Sequence, residues 1–115
     1  MHLAACVPFG HAFIKVFDWD SKKNDFLRVN RGISFEAVIV HLGRGDIWQI
    51  TDHPDQAQYP GQQIFFVIVN DYVHIVPFET RGDTIWLVII IPSRKATKEY
   101  RKEKAHEIER GRKRN

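Results

Sequence analysis

Two strand-length apolar runs, Ile64–Val69 and Tyr72–Phe78, are separated only by Asn70-Asp71. Asn and Asp both tolerate positive φ, so this spacing suits a tight antiparallel hairpin. Its register follows directly: Val69 faces Tyr72 and Val67 faces His74. A third run, Thr84–Ile91, comes after Glu79-Thr80-Arg81-Gly82-Asp83, read as a loop. Pro92 closes it, because proline donates nothing to a ladder. With that loop, Phe78 faces Thr84 and His74 faces Val88. One sheet face then carries Ile64, Phe66, Ile68, Val73, Ile75, Ile85, Leu87 and Ile89. The other carries Phe65, Val67, Val69, Tyr72, His74, Val76, Trp86, Val88 and Ile90. A half-solvated antiparallel sheet would be polar on one side. Both faces therefore need cover, from a helix, the N-terminal segment or another chain. A bulge at Pro77 would flip part of this assignment.

The remaining elements come from caps and periodicity. Residues 12–18 alternate as a first strand. Asp20 or Ser21 caps a helix over about 21–30, and Gly32 stops it. Ser34 caps a second helix, 35–43, whose Phe35, Val38, Ile39 and Leu42 share one face. Residues 46–50 suit a short strand, and Thr51–Gln63, with Pro54, Pro60 and Gly61, reads as a loop. Ser93 or Thr97 opens a last helix that runs to about residue 110. The class is α+β: an N-terminal strand and two helices, a three-stranded antiparallel meander, and a C-terminal basic helix. A chain of 115 residues holds one domain, here 12–110, with an extension over 1–11 and a basic tail over 111–115. Met1–Ile14 lacks Lys and Arg and is broken by Pro8, Gly10 and His11, unlike a signal peptide. No apolar run reaches the roughly 18 residues of a membrane span, so no membrane contact is expected. Cys6 is the single cysteine, which excludes an intrachain disulfide and fits a reducing, cytoplasmic setting.

Charge is distributed unevenly. Residues 93–115 hold ten Lys or Arg against four Glu, whereas residues 1–92 hold seven against ten acids. A basic end on an acidic body suits a polyanion, most simply nucleic acid. The alternative is a solvated helix with i,i+4 pairs such as Lys95–Glu99. Among polar groups, His74 sits mid-strand among valines. His53 with Asp52 and Asp55 lies in a Pro-bounded loop without further ligands at metal spacing, and reads as a turn. His41 has no partner at readable spacing. Arg94 and Lys95 begin the last helix, where cations oppose the helix dipole but, with free N–H groups, would hold a phosphate. No nucleotide-binding glycine loop, zinc pattern or nucleophile motif is present, and no metal or cofactor is expected.

Phe17-Asp18-Trp19-Asp20, Lys23-Asn24 and Arg31-Gly32-Ile33-Ser34-Phe35-Glu36 together resemble the opening of BrnT-family toxins. Ile91-Pro92-Ser93-Arg94-Lys95-Ala96-Thr97 is similar to that family's closing motif, and Glu79, Arg81, Gly82 and Asp83 resemble its hairpin loop, with Thr80 inserted. The likeness spans roughly residues 14–100. The chain departs from the family in lacking arginines within Trp86–Ile91 and in carrying Asn30-Arg31 before Gly32.

The resemblance implies a RelE-like fold and a type II toxin that cleaves RNA without metal and halts translation. Its partner would be a BrnA-like ribbon-helix-helix antitoxin. Glu79 or His74 would accept a proton and Arg81 would supply charge, while Arg94 and Lys95, joined by Lys98 and Arg101 on the same helix, would hold RNA phosphates. Tyr72 and Trp86 would anchor a partner-covered face, buried by the antitoxin or in a homodimer. The alternative functions are a non-catalytic nucleic-acid- or protein-binding module of the same fold, and an assembly protein.

Overall fold

The computed structural model describes residues 5–9 and 13–113. The elements are β1 (Ala5–Phe9), β2 (Phe13–Trp19), α1 (Ser21–Arg31), α2 (Phe35–Gly43), β3 (Ile47–Asp52), β4 (Gln63–Val69), β5 (Tyr72–Arg81), β6 (Thr84–Leu87), β7 (Ile91–Pro92) and α3 (Arg94–Lys113). The class is α+β. The sheet runs β1-β2-β6-β5-β4-β3, with β7 also paired to β5. Among the described residues only β2 and β6 pair in parallel; β3 to β6 form an antiparallel meander of four strands. Ala5–Phe9, within the expected extension, is instead an edge strand antiparallel to β2.

Local chemistry sets the helix ends. The Asp20 carboxylate accepts from the Lys22 and Lys23 amides, and Gly32 ends α1 at φ 65. Ser34 Oγ accepts from the Ala37 amide at 3.2 Å and starts α2. Asn24, buried inside α1, staples the two helices together. Its Oδ1 accepts from the Phe35 amide at 2.8 Å, and its Nδ2 donates to both Glu36 oxygens.

The β4–β5 hairpin has the expected register, Val69 opposite Tyr72 and Val67 opposite His74, and Asn70 and Asp71 adopt φ 52 and 61. The next connection differs from expectation. Glu79, Thr80 and Arg81 are strand, and the turn is Gly82-Asp83, with Gly82 at φ 61. Positive φ at the first central residue suits a two-residue hairpin turn. Phe78 therefore faces Leu87 and Glu79 faces Trp86, three places from the expected register. An odd shift moves β6 to the other face. Ile85 and Leu87 join the Phe65, Val67, Val76 and Phe78 face, and Trp86 leaves it.

No bulge interrupts β4–β5 at Pro77. The irregularity lies on the β6 side. Pro77 accepts from the Val88 amide at 2.9 Å but has no N–H to return. Beyond that point residues 88–90 leave the ladder and bury Ile90, and Ile91–Pro92 rejoin opposite Ile75 and His74.

Phe17 and Trp19 of β2 continue the inner face, and Leu27, Phe35, Val38 and Ile39 of the two helices close it. The outer face is covered from within, at Val73, by the first turns of α3. Ala96 and Thr97 are buried there, and Thr97 Oγ1 accepts from the Val73 amide at 2.9 Å. Trp48 completes this cover by packing edge-on against both Phe66 and Tyr100, with centroids 5.7 and 5.9 Å away. Among the described residues no helix is long and apolar enough to cross a membrane.

Candidate nucleic-acid interface

The extension of β5 through Arg81 separates His74 from Glu79 and Arg81, and the shifted β6 register puts Trp86 on the face opposite Tyr72. Along β5, His74 shares the inner face with Val76 and Phe78, while Glu79 and Arg81 point outward. His74 and Glu79 are five residues apart, roughly 16 Å at ordinary strand rise, on opposite sides of the sheet. Glu79 is also engaged. Its carboxylate accepts from Arg81 Nη2 at 2.7 Å and from Gln62 Nε2 at 2.9 Å. These hydrogen bonds, Arg81's first, hold its pKa below the ordinary glutamate value, which makes it a poorer proton acceptor. Arg81 caps the Trp86 ring, its guanidinium carbon 4.8 Å from the centroid. Glu79, Arg81, Gln62 and Trp86 therefore form a self-satisfied cluster at one end of the β5–β6 hairpin. Tyr72 lies at the other end of β5 and shares no patch with Trp86, contrary to the expected partner face.

His74 instead lines an open cleft of about 700 Å³ with Arg28, Arg31, Ser34, His41 and Tyr72. Both arginines come from the last turn of α1, three residues apart and hence on one helix face. His41 comes from the last turn of α2. The chain leaves α2 through Arg44 and Gly45, and the Asp46 amide returns to the His41 carbonyl at 3.0 Å. That turn sets Asp46 Oδ2 2.9 Å from His41 Nδ1. A carboxylate only accepts, so Nδ1 carries the proton and Nε2 is the atom left for a substrate. His74 is fixed in the same way, its Nδ1 lying 3.1 Å from the Tyr72 carbonyl oxygen. Its Nε2 is left with the lone pair. Burial lowers the His74 pKa below 6.5, partly opposed by the bond to Tyr72, and positive charge on His41 lowers it further. The two rings are thus close enough to disfavour a second charge.

The N-terminus of α2 borders the cleft, but its Phe35 and Ala37 amides are occupied by Asn24 and Ser34. An anion in this cleft would therefore meet the arginines. Arg28 pairs with Asp25, and Arg31 donates one N–H to the Ile90 carbonyl at 3.2 Å, keeping its other donors.

The predicted phosphate-binding residues lie on exposed α3. Arg94, Lys98 and Arg101 line a groove beside Tyr72, together with Lys102. Lys95 does not line it; about 100° of helical rotation separates it from Arg94. No Lys95–Glu99 ion pair forms. His53 belongs to a turn, its Nδ1 accepting from the Asp55 amide at 3.0 Å. No group of three or more His, Cys, Asp or Glu among the described residues is arranged to hold a metal ion.

Sequence reasoning missed His41, Asp46, Arg28 and Arg31. Glycines at 43 and 45 were the available signal for Asp46, since they mark a turn that folds the chain back on the helix end. Comparison with protein-family models, curated proteins and solved structures finds no match to this chain.

Proposed function

We propose that this protein is a metal-independent endoribonuclease, the toxin of a BrnT-like toxin–antitoxin pair acting in the cytoplasm. The observation that carries this reading is two histidines in one cleft, each held at Nδ1 with Nε2 free, beside two arginines. RNA supplies its own nucleophile, so the protein need only align the 2′-OH, move two protons and stabilise the phosphorane. His74, kept neutral by burial, takes the 2′-OH proton on Nε2 as the 2′-oxygen bonds to phosphorus. The bond from phosphorus to the 5′-oxygen breaks, and protonated His41 gives its Nε2 proton to that oxygen. Asp46 orients His41 through its Nδ1. Arg28 and Arg31 supply positive charge to the phosphorane oxygens. The products are a 2′,3′-cyclic phosphate and a 5′-hydroxyl.

The test is incubation of purified protein with RNA in EDTA, followed by end-group analysis. Cleavage with cyclic phosphate ends is expected, and His41→Gln or His74→Gln lowers the rate about 10²- to 10⁴-fold. Cleavage that EDTA abolishes and a divalent ion restores would refute the mechanism. The toxin reading adds that induced expression arrests bacterial growth and that co-expressed BrnA-like ribbon-helix-helix antitoxin relieves it. Growth unaffected by an actively cleaving protein would sink that part.

A further inference from the structure

Tyr72 lines two cavities. One is the histidine cleft; the other is a groove of about 500 Å³ whose far wall is α3, formed by Arg94, Thr97, Lys98, Arg101, Lys102 and Ala105. Residues 94, 98, 101, 102 and 105 recur at helical spacing on one face. The groove combines two kinds of surface. The Tyr72 ring, Ala105 and the aliphatic stems of the long side chains offer apolar contact. Four cationic head groups stand around them, with no acidic side chain in the lining. Arg101 is partly engaged, donating to the Asp71 carbonyl at 3.1 Å, and so fixes α3 against the hairpin turn. Arg94, Lys98 and Lys102 have no ion-pair partner among the described residues.

A flat apolar ring joined to an anion matches this combination, and a nucleotide of a single strand is that ligand. We propose that the groove holds the segment of single-stranded RNA next to the scissile phosphate, with one base stacked on Tyr72 and the following phosphates on Lys98, Lys102 and Arg94. The inference rests on the ribonuclease reading only for the strand's continuation into the cleft. Tyr72 is then a positioning residue. Its ring packs edge-on against His74, with centroids 5.7 Å apart, so a base held on Tyr72 places its nucleotide beside the His74 imidazole. A duplex keeps its bases stacked on each other and offers no face to Tyr72.

The experiment measures binding of a fully 2′-O-methylated oligoribonucleotide, which has no 2′-OH to attack phosphorus, as single strand and as duplex. The single strand should bind the wild-type protein more tightly than the duplex. Tyr72→Ala should weaken that binding about 5- to 150-fold, the range that one base–aromatic stack is worth, and Tyr72→Phe should restore it. The exposed pair Lys98→Glu and Lys102→Glu should reduce the salt dependence of log affinity by about 1.4, roughly 0.7 for each phosphate no longer neutralised. With cleavable RNA, Tyr72→Ala should raise KM while Tyr72→Phe keeps it. Equal duplex affinity, or an unchanged salt slope in the lysine variant, overturns the proposal, and the lysine variant decides the matter if Tyr72→Ala does not fold. Binding that follows this pattern without any cleavage keeps the groove and removes the nuclease. Cleavage with KM unchanged in every groove variant does the reverse.

Discussion

Replacing Asn24 by alanine removes the staple between α1 and α2, and the structure sets the size of the effect. Asn24 is only 4% exposed, and its Oδ1 is the partner of the buried Phe35 amide. Without it that N–H is orphaned, at a cost of about 1–3 kcal/mol. The two bonds to Glu36 add little, because that carboxylate is exposed and water replaces Asn24. Alanine's better helix propensity returns about 0.5 kcal/mol. The net loss is roughly 0.5–2.5 kcal/mol, which lowers the melting temperature by about 2–10 °C for a chain of this size. The assay is thermal unfolding followed by circular dichroism at neutral pH. Asn24→Asp separates the two roles of the side chain. It keeps an acceptor for Phe35 but sets a second carboxylate against Glu36, so its destabilisation should shrink on acidification. Burial opposes ionisation of Glu36, but hydrogen bonds led by Asn24, with Arg28 nearby, leave its pKa below 4.5 in the fold. A depressed pKa contributes stability that is present above 4.5 and lost as pH falls below it. Asn24→Ala should therefore be less acid-sensitive than wild type. A melting temperature within about 2 °C of wild type for Asn24→Ala, or no acid recovery of Asn24→Asp, would show that the staple carries no such energy.

Glu79→Gln and Arg81→Ala should leave RNA cleavage within about threefold of wild type, because their cluster lies across the sheet from the cleft; a loss beyond about 10²-fold in either would return catalysis to the hairpin. His74, with its folded pKa depressed, favours the neutral ring, so wild-type stability should decline as pH falls from 6.5 toward that lower pKa. His74→Gln should flatten this decline in urea titrations across that range, and an unchanged slope would place the pH dependence on another group.

The hairpin at Asn70-Asp71 was legible because its determinants are adjacent in sequence and both residues adopt the left-handed backbone such a turn needs. The helix caps Asp20, Ser34 and Gly32 were legible for the same reason. The second turn was not. Glu79, Thr80 and Arg81 are polar and look like loop, yet they lie where β5 and β6 meet near solvent and need not be apolar. Their pairing is visible only once Gly82-Asp83 is recognised as sufficient for the reversal. The face of Tyr72 and His74, expected to need a partner, has its Phe65, Val67 and Val76 closed by α1 and α2 instead, and Trp48, far from α3 in sequence, supplies the aromatic surface that helps α3 cover the opposite face. His74 was singled out in the sequence and lines the cleft, but its companions there come from α1 and α2. Their approach depends on helix packing, and only the i,i+3 spacing of Arg28 and Arg31 was open to view.

The three-place difference in the β5–β6 register also decides which chemistry this sheet can host. In the expected register Trp86 and His74 share a face, and Glu79 and Arg81 are free on a loop. In the observed one Glu79 faces Trp86 across the ladder, and Arg81 closes over both by ion pair and ring contact. A carboxylate that accepts from both an arginine and a glutamine gains little by taking a proton. His74 has the opposite environment: one backbone acceptor, partial burial, and a second histidine near enough to repel its charge. Burial holds His74 toward its neutral form, and His41, oriented through Nδ1 by Asp46, presents a second imidazole to the same cleft, so the cleft offers one ring for each proton that RNA cleavage moves. Trp86, turned outward by the same shift, leaves the inner face to Ile85 and Leu87, which pack the core beneath α1 and α2. The shift that buries these two residues therefore also supports the helices that carry Arg28, Arg31 and His41 to the cleft.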